Sequence, residues 1–324
     1  MKKLSIVVPM YNVAEYVINA AKSIDEQAHN LLEVVAVDDG STDNSLGVFL
    51  ENLTNVDVVV VRQANLGLSA ARNAGILAAS GTYILFLDAD DFLLPASVEN
   101  ILKIISIDTP DLIYGRMKLW TPNLGVRNIK QYEYKLPECR MDRIEYILGS
   151  LPDSSWNAVR CICKRNFLQE NELFFIEGIL CEDVPWTLAV LDTANVMCFL
   201  EEPFYAYFNR RPGSITNCLS SKKIIDLNKI VLGKLQQYAN RPRICTLLIW
   251  QSFIYISEYC LFSKQDRRRI YKSYKNVMPY YRKSMVFMHR FMGLIFGRLL
   301  LYFVSTWMFA VRRIYRIFAK VRHS

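Results

Sequence analysis

The chain has 324 residues, 52% of them hydrophobic, which is enough material for one large or two modest domains with a substantial core. Its net charge of +8 is uneven: residues 267–324 contain 14 Lys or Arg and no acidic residue, whereas residues 1–266 carry a net charge of −6. The eight Cys are scattered and no apolar signal-peptide segment follows the first residues, which argues against a secreted, disulfide-stabilised module. We therefore expect a cytoplasmic protein whose basic end has an anionic partner, either lipid or nucleic acid.

Short apolar runs alternate with helical patterns through the first third of the sequence. The predicted order is strand Leu4–Val8, helix 14–28, strand Glu33–Val37, helix 43–53, strand Asp57–Val61, helix 69–79, strand Tyr83–Leu87, a helix beginning at Pro95 and strand Asp111–Tyr114. Strands that alternate with helices at this rhythm predict an α/β fold, with a mostly parallel sheet flanked by helices and connected by right-handed crossovers.

Acidic residues directly follow two of these strands. Asp38 and Asp39 follow the second strand, and Asp88, Asp90 and Asp91 follow the fourth. Parallel strands share a carboxyl end, so both groups are expected at one edge of the sheet, where open α/β sheets bind ligands. Clustered carboxylates suit Mg²⁺ or Mn²⁺, which predicts a metal that holds a substrate diphosphate. The alternative is a solvated turn in which Asp91 or a neighbour caps the next helix.

Four motifs in residues 4–115 resemble those of the family 2 glycosyltransferases, which are inverting enzymes of the GT-A (Rossmann-like) fold. The motifs are Val7-Val8-Pro9-x-Tyr11-Asn12, Val37-Asp38-Asp39-Gly40-Ser41-Thr42-Asp43, Asn65-x-Gly67-x-Ser69-x-Ala71-Arg72-Asn73-x-Gly75 and Leu87-Asp88-Ala89-Asp90-Asp91. The resemblance implies that Asp38 and Asp39 bind the base and ribose of a nucleotide sugar, with Asp39 accepting the base N3–H. It also implies that Pro9, Tyr11 and Asn12 line the base pocket.

On the phosphate side, the resemblance implies that Arg72 faces the nucleotide and that Asp90 ligates Mn²⁺ or Mg²⁺. Asp88 would reach the ribose or the metal, directly or through water, and the expected donor is a UDP-sugar. Sugar nucleotidyltransferases share the fold and an Asp-bound metal, but they have a Gly-rich phosphate loop after the first strand. Residues 9–12 contain no Gly, which counts against that alternative.

A second acidic pair, Glu182–Asp183, precedes an apolar helical pattern. One interpretation is that Asp183 is a helix N-cap, with Glu182 in the first turn. The resemblance instead implies that Asp183 is the general base and Glu182 a helper or acceptor contact. Inversion requires a carboxylate opposite the leaving diphosphate, close enough to take the proton of the acceptor hydroxyl.

The region around this acidic pair is expected to form the acceptor side. Residues 116–150 are polar and predict loops or a hairpin at the edge of the sheet, and 156–168 read as a strand followed by a helix. Arg210 and Arg211 follow an aromatic strand, Phe204–Phe208. They could clamp a diphosphate or bind acceptor, as the resemblance favours, or belong to a solvated basic loop.

From Ser221 onward the pattern is helical, with helices over 221–239 and 243–262, a basic stretch over 265–275 and an interruption at Pro279. The apolar run Leu299–Val311 has 13 residues, whereas a membrane span needs roughly 20. We expect basic amphipathic helices on an anionic membrane surface rather than nucleic-acid binding, because large aliphatic residues separate the basic ones. The alternative is a helix pair that packs on the catalytic domain or on a second subunit.

The sequence therefore predicts a GT-A domain over 1–220 and a helical, membrane-associated region over 221–324. Residues 1–115 would form the nucleotide-sugar-binding half and 116–220 the acceptor-binding half. The expected activity is metal-dependent, inverting transfer of a single sugar to a hydroxyl of a lipid-linked glycan in surface polysaccharide biosynthesis, at the inner face of the cytoplasmic membrane. The alternatives are a catalytically inactive relative that scaffolds a membrane assembly complex, or a sugar nucleotidyltransferase.

Overall fold

A computed structural model describes residues 2–122, 125–127, 144–148, 156–208, 218–253 and 255–284. The chain forms two compact units, Met1–Asn217 and Cys218–Ser324, which are described separately below. The expected domain boundary at residue 220 lies three residues from this division.

The first unit is a mixed sheet with helices on its faces. The strands are β1 Leu4–Met10, β2 Leu32–Asp38, β3 Asp57–Arg62, β4 Tyr83–Phe86, β5 Phe92–Leu93, β6 Leu112–Thr121, β7 Gly125–Arg127, β8 Cys161–Lys164 and β9 Met197–Phe208. The helices are α1 Val17–Asp25, α2 Ser45–Glu51, α3 Leu68–Ala78, α4 Ser97–Ile107, α5 Arg165–Glu170 and α6 Asp183–Thr193, with a short helical segment at 144–148.

The described strands are ordered β3-β2-β1-β4-β8-β6-β9-β5, and β7 pairs with β6. Strands β3, β2, β1 and β4 are parallel, as are β6 and β9, whereas β8 and β5 are antiparallel to their neighbours. This mostly parallel α/β sheet confirms the predicted fold class. Strand β1 is parallel to both β2 and β4, so the acidic loops that follow β2 and β4 emerge at the same edge of the sheet.

The predicted strands and helices over residues 4–87 are confirmed, with ends that shift by three residues or fewer. The largest difference concerns residues 116–121, which were expected to be irregular but continue β6 inside the sheet. The reason is tertiary pairing, because β9 pairs with β6 as far as Trp120, which lies opposite Phe208. The ring centroids of Trp120 and Phe208 are 4.7 Å apart. The expected hairpin is present as the β6–β7 pair.

Helix α3 lies unusually close to the sheet because its facing residues are small. A Cβ on Gly75 would come within 2.2 Å of the Val7 side chain in β1, which is fully buried. Only a residue without a side chain allows this approach. The close packing brings Arg72, one turn earlier in α3, to the carboxyl end of the sheet.

The second unit is helical. Its elements are α7 Ser221–Gln237, α8 Pro242–Phe253, a 3₁₀ segment Ile256–Leu261 and α9 Lys264–Ser284. Buried apolar residues of these elements form one core: Ile224, Tyr259, Phe262, Ile270 and Tyr274. The predicted interruption at Pro279 is wrong, because α9 continues through it. Pro279 is exposed, so its ring projects into solvent, and water can bind the carbonyl that loses its helical donor. No helix in the described part of the chain is both long and apolar enough to cross a membrane.

Candidate functional site

The loop that follows β2 is locked onto the loop that follows β3. The Asp39 carboxylate is buried and accepts three N–H groups, from Gln63 Nε2 at 2.7 Å and from the main chain of Leu66 and Gly67 at 2.9 Å each. Gly40 has a φ of +75°, and a Cβ there would lie 2.8 Å from the Asn65 main-chain nitrogen. Asp39 Oδ2 accepts only one of these bonds, so it retains acceptor capacity for a ligand N–H.

The end of β1 meets the same loop. Asn12, with a φ of 51°, accepts a 2.8 Å hydrogen bond from the main chain of Thr42. Asp38 accepts one of 2.9 Å from the main chain of Ser41, and the Tyr11 side chain is exposed. The structure thus brings together the residues predicted for the base pocket, which are Pro9, Tyr11, Asn12, Asp38 and Asp39.

Arg72 joins the two acidic centres that the sequence presents far apart. Its guanidinium is only 1% exposed, and Nη2 donates to Asp88 Oδ1 at 2.9 Å. Nη1 donates to Glu182 Oε1 at 3.0 Å and to Asp183 Oδ1 at 2.8 Å. Three carboxylates from two halves of the domain therefore converge on one cation.

The contacts of Arg72 that the structure shows are with carboxylates and aromatic rings of the protein itself. Both terminal nitrogens of the guanidinium are engaged by carboxylates, and its Cζ lies 5.2 Å from the Phe175 ring centroid and 5.9 Å from that of Phe86. The physical reason is mutual repulsion, since three adjacent carboxylates require a cation and Arg72 supplies it. A contact between Arg72 and nucleotide stays a prediction.

The environment of Asp183 suits a base that works near neutral pH. Burial raises the pKa of Asp183 to about 7. The neighbouring charge of Arg72 lowers this pKa, whereas the charges of Glu182 and Asp88 raise it. The Asp183 side chain is still 29% exposed, so a substrate hydroxyl can reach it. A carboxylate with a raised pKa and a reachable edge can accept a proton and later release it.

The N-cap interpretation of the Glu182–Asp183 pair is not supported. Glu182 occupies the N-cap position of α6 but its side chain makes no capping hydrogen bond, and Asp183 is the first helical residue. Both carboxylates are directed to Arg72 instead. The preceding loop has left-handed backbone at Gly178 and, unusually for a residue with a side chain, at Cys181.

Asn73 fixes the segment that leads to this pair, a role that sequence reasoning missed. Its side chain bonds Phe175 in both directions, donating to the main-chain oxygen at 3.0 Å and accepting from the nitrogen at 2.8 Å. The Phe175 ring stacks on Trp186 of α6 at 4.5 Å. The position of Asn73 directly after Arg72 in the third motif was the sequence feature that could have indicated this role.

Asp91 does not cap a helix, because α4 begins at Ser97. It is buried, and it accepts hydrogen bonds from the Tyr205 hydroxyl at 2.5 Å and from the Phe208 main chain at 2.6 Å. Burial, followed by the charges of Asp90 and Asp88, raises the pKa of Asp91 well above its usual range. Tyr205 is a second residue that the sequence did not single out.

Asp88 and Asp90, the predicted metal ligands, both lie at the carboxyl end of β4 and are partly exposed. Within the described residues, no group of three or more His, Cys, Asp or Glu side chains is arranged to hold a metal ion. Two carboxylates nevertheless fit Mg²⁺ or Mn²⁺, which commonly take one or two protein carboxylates and complete their shell with phosphate oxygens and water. The acidic pair fits a cation that arrives with a diphosphate.

Three predictions fall on other segments. Arg210 and Arg211, most of residues 128–155 and the basic tail after Ser284 lie outside the described residues. Their roles stay predictions.

The sequence matches one family profile and several glycosyltransferase relatives. The profile of glycosyl transferase family 2 matches residues 5–160. "Glycosyltransferase GlyG" of Streptococcus pneumoniae is 36% identical over 221 residues, which is 65% of this chain and 72% of that protein. "Uncharacterized glycosyltransferase YibD" of Escherichia coli is 29% identical over 64% of this chain and 61% of its own length. "Uncharacterized glycosyltransferase EpsJ" of Bacillus subtilis is 30% identical over 66% and 62% respectively. The chain thus spans about three fifths of the last two relatives.

Solved structures share the fold. Staphylococcus aureus TarS 1–349 in complex with UDP-GlcNAc aligns with a TM-score of 0.68 at 20% identity, covering 86% of this chain and 81% of that one. The mannosyltransferase PcManGT from Pyrobaculum calidifontis, in complex with GDP-Man and Mn²⁺, aligns with a TM-score of 0.52 at 12% identity, covering 95% and 83%. At these identities the likeness establishes the GT-A fold alone.

Proposed function

Because the chain belongs to glycosyl transferase family 2, we propose that it transfers a single sugar from a nucleoside diphosphate sugar to a hydroxyl group, with inversion. The observation that carries the proposal is the convergence of Asp88, Glu182 and Asp183 on Arg72. Arg72 lies in α3, whose N-cap residue Gly67 donates its N–H to Asp39 in the predicted base pocket. One helix thus connects the predicted nucleotide site with the predicted base.

In the proposed reaction Asp183 accepts the proton of the acceptor hydroxyl. The hydroxyl oxygen then bonds to the anomeric carbon from the face opposite the diphosphate, and the bond from that carbon to the phosphate oxygen breaks. Its electron pair leaves with the nucleoside diphosphate, so the configuration inverts. Arg72 orients the Asp183 carboxylate and opposes the rise in its pKa that burial causes, and Glu182 contacts the acceptor or helps to hold Arg72. A divalent cation bound by Asp88 and Asp90 would neutralise charge on the leaving diphosphate.

We further propose UDP as the nucleotide. The support is the fold shared with TarS, which binds UDP-GlcNAc, together with the remaining acceptor capacity of Asp39 for a base N–H. PcManGT binds GDP-Man, so GDP is the competitor to include in every binding test. The sugar is left open by these observations.

The proposed acceptor is a lipid-linked glycan at the inner face of the cytoplasmic membrane. The support is the surface of α9, which packs through Ile270, Tyr274 and Val277. Its other side exposes five cationic residues: Lys264, Arg268, Arg269, Lys272 and Lys275. Each cation near anionic lipid contributes about 1 kcal/mol, so this face supports binding to acidic headgroups.

Vesicle co-sedimentation tests the membrane proposal. The full chain should sediment with vesicles that contain phosphatidylglycerol and stay in the supernatant with phosphatidylcholine alone. A variant in which the five exposed cations of α9 are replaced by Gln (Lys264, Arg268, Arg269, Lys272 and Lys275) should lose most of its binding to the acidic vesicles. A variant that binds acidic vesicles as tightly as the full chain does would contradict the proposal. Stronger binding to a DNA duplex than to acidic vesicles would favour nucleic acid instead.

Calorimetric titration of UDP, with and without Mn²⁺, tests the nucleotide site. Wild type should bind UDP more tightly with Mn²⁺, and Asp90→Ala should lose that gain, whereas Asp108→Ala, at an exposed carboxylate after α4, should retain it. Release of UDP from UDP-sugars should then identify the donor. If no binding is measured with UDP, GDP or dTDP, the result would contradict the proposal and favour a catalytically inactive scaffold.

A further inference from the structure

We propose that Tyr205 is a positioning residue that sets the geometry of the Asp88–Asp90 loop through the Asp88 main chain. The inference rests on the proposed function, because it assumes that this loop holds the cation and diphosphate of a donor. It adds Tyr205 and Asp91 to the residues that determine donor affinity, although neither is predicted to touch the donor.

The Tyr205 hydroxyl lies between the two ends of the acidic loop. It donates to Asp91 Oδ2 at 2.5 Å and accepts the main-chain N–H of Asp88 at 3.2 Å. The loop is closed on itself by a 2.9 Å bond from the Asp91 N–H to the Asp88 carbonyl. One hydroxyl therefore restrains the first and last residues of a four-residue turn that contains the predicted ligand Asp90.

Tyr205 is well placed to transmit a fixed geometry because its own strand is restrained on both sides. It is fully buried, and within β9 it pairs with Leu93 of β5 on one side and with Met117 of β6 on the other. Sites built on paired strands hold side chains more precisely than sites on loops. Asp91 directly precedes β5, so the pairing of β5 with β9 places the Asp91 carboxylate next to β9.

Asp91 also restrains the end of β9. Its Oδ1 accepts the Phe208 main-chain N–H at 2.6 Å, and the Phe208 ring packs on Trp120 at a centroid distance of 4.7 Å. Phe208 is the last residue of the strand and precedes Arg210 and Arg211 in the chain by two and three positions. The Asp91 carboxylate thus connects the predicted metal loop with the last residue of β9.

A comparison within the protein separates positioning from ordinary packing. Tyr83 is equally buried, and its hydroxyl donates to the Pro110 carbonyl at 2.7 Å, which satisfies the hydroxyl without any charge. The Tyr205 hydroxyl instead donates to the buried side chain of Asp91 and accepts the Asp88 main-chain N–H, so it has a partner at each end of the acidic loop. The Tyr83 hydroxyl therefore makes one neutral bond outside the acidic loop, whereas the Tyr205 hydroxyl links two residues of that loop.

The test compares Tyr205→Phe with Tyr83→Phe in the full chain, since each change removes one buried hydroxyl and retains the ring. The probe is UDP titrated calorimetrically with and without Mn²⁺, alongside Tm. Tyr205→Phe should weaken UDP binding in the presence of Mn²⁺ by about 5- to 10-fold, the effect of one to two lost hydrogen bonds. Tyr83→Phe should change that affinity less than 2-fold at a similar cost in Tm, and its kcat should stay within about 2-fold of wild type. Tyr205→Phe should raise KM for the donor by a larger factor than it lowers kcat.

Equal UDP affinities of the two variants in Mn²⁺ would overturn the inference and leave the proposed function intact. If wild type itself binds neither UDP nor GDP with Mn²⁺, the proposed function fails, and the inference fails with it. Should Tyr205→Phe not fold, Asp91→Asn decides the matter, because it retains the shape and one acceptor oxygen. Weaker Mn²⁺-dependent UDP binding by Asp91→Asn supports the inference, and unchanged binding overturns it.

Discussion

The two acidic pairs of the catalytic unit, Asp38–Asp39 and Glu182–Asp183, are held by different means. Asp39 is bound by neutral N–H donors, all of them from residues 63–67 in the next loop. Glu182 and Asp183 depend on a single guanidinium that lies 110 or more residues away in the sequence and is shared with Asp88. Neutral donors fix geometry and leave the charge of the pair available for a ligand. A shared cation also couples the charges of its three partners.

This difference predicts unequal sensitivity to substitution. Substitutions in the Asp38–Asp39 pair should reduce nucleotide affinity only modestly, because several N–H groups hold Asp39 and each contributes a part of its stabilisation. Substitutions that affect the Glu182–Asp183 pair should reduce activity strongly, because Arg72 binds both carboxylates and also influences the pKa of Asp183.

The largest effect is expected for Asp183→Asn, which retains an oxygen for Arg72 but cannot accept a proton. Transfer should fall about 10³-fold, within the range attributed to general-base catalysis, whereas UDP affinity should stay within about 2-fold. Steady-state kinetics and calorimetry measure the two. Asp192→Asn, near the opposite end of α6, is the matched control and should remain active. Loss of both transfer and UDP binding in Asp183→Asn would contradict the role of general base.

Arg72→Lys should rank second. An ammonium group cannot bridge Asp88 and Asp183 as the planar guanidinium does, so at least one charged hydrogen bond of about 1.5–3 kcal/mol is lost. We expect kcat/KM to fall by about 10- to 100-fold, with a reduced Tm. The control is Arg165→Lys, because the Arg165 side chain donates one 3.0 Å hydrogen bond, from Nε to the Gly81 carbonyl, and contacts none of the site carboxylates that the structure describes. Similar kinetics for the two variants would refute the coupling of the acidic centres through Arg72.

The pH dependence of kcat/KM should reveal the same coupling. Burial raises the pKa of Asp183 to about 7, and the base acts in its ionised form, so activity should fall below that pH and level off above it. A single ionisation gives about a 10-fold loss from pH 8 to pH 6. Arg72 opposes the rise, so Arg72→Lys should move the acidic limb to higher pH. A limb that persists unchanged in Asp183→Asn would assign it to another group.

The smallest effect is expected for Asp39→Asn. The amide keeps one acceptor oxygen but turns a donor toward main-chain N–H groups, at a net cost near one hydrogen bond, or about 5-fold in UDP affinity. Transfer at saturating donor should change less than 2-fold. Asp57→Asn, whose side chain is 77% exposed, should leave UDP affinity unchanged. A kcat loss in Asp39→Asn as large as that of Asp183→Asn would remove the distinction between the two pairs.

The parts of the molecule that were predictable depend on contacts between near neighbours. The alternation of strands and helices over residues 4–87 follows from local hydrophobic patterns, and the acidic loops follow directly from the strands that precede them. The path of β6 was not predictable past Tyr114, because its continuation to Thr121 depends on pairing with β9 about 85 residues later. At Pro279 the local pattern predicts a helix break, but α9 continues through this residue because the exposed proline ring faces solvent.

By itself the sequence determined the α/β fold class, the family resemblance and the identity of the acidic residues, because these are carried by short patterns of side chains. The tertiary structure decided how those residues are paired. It directs Arg72 to three carboxylates, Asn73 to the main chain of Phe175 and Tyr205 to the loop that ends at Asp91. These partners are separated by 100 or more residues in most cases. Only the packing of α3, β4, α6 and β9 at one edge of the sheet brings them within hydrogen-bond distance.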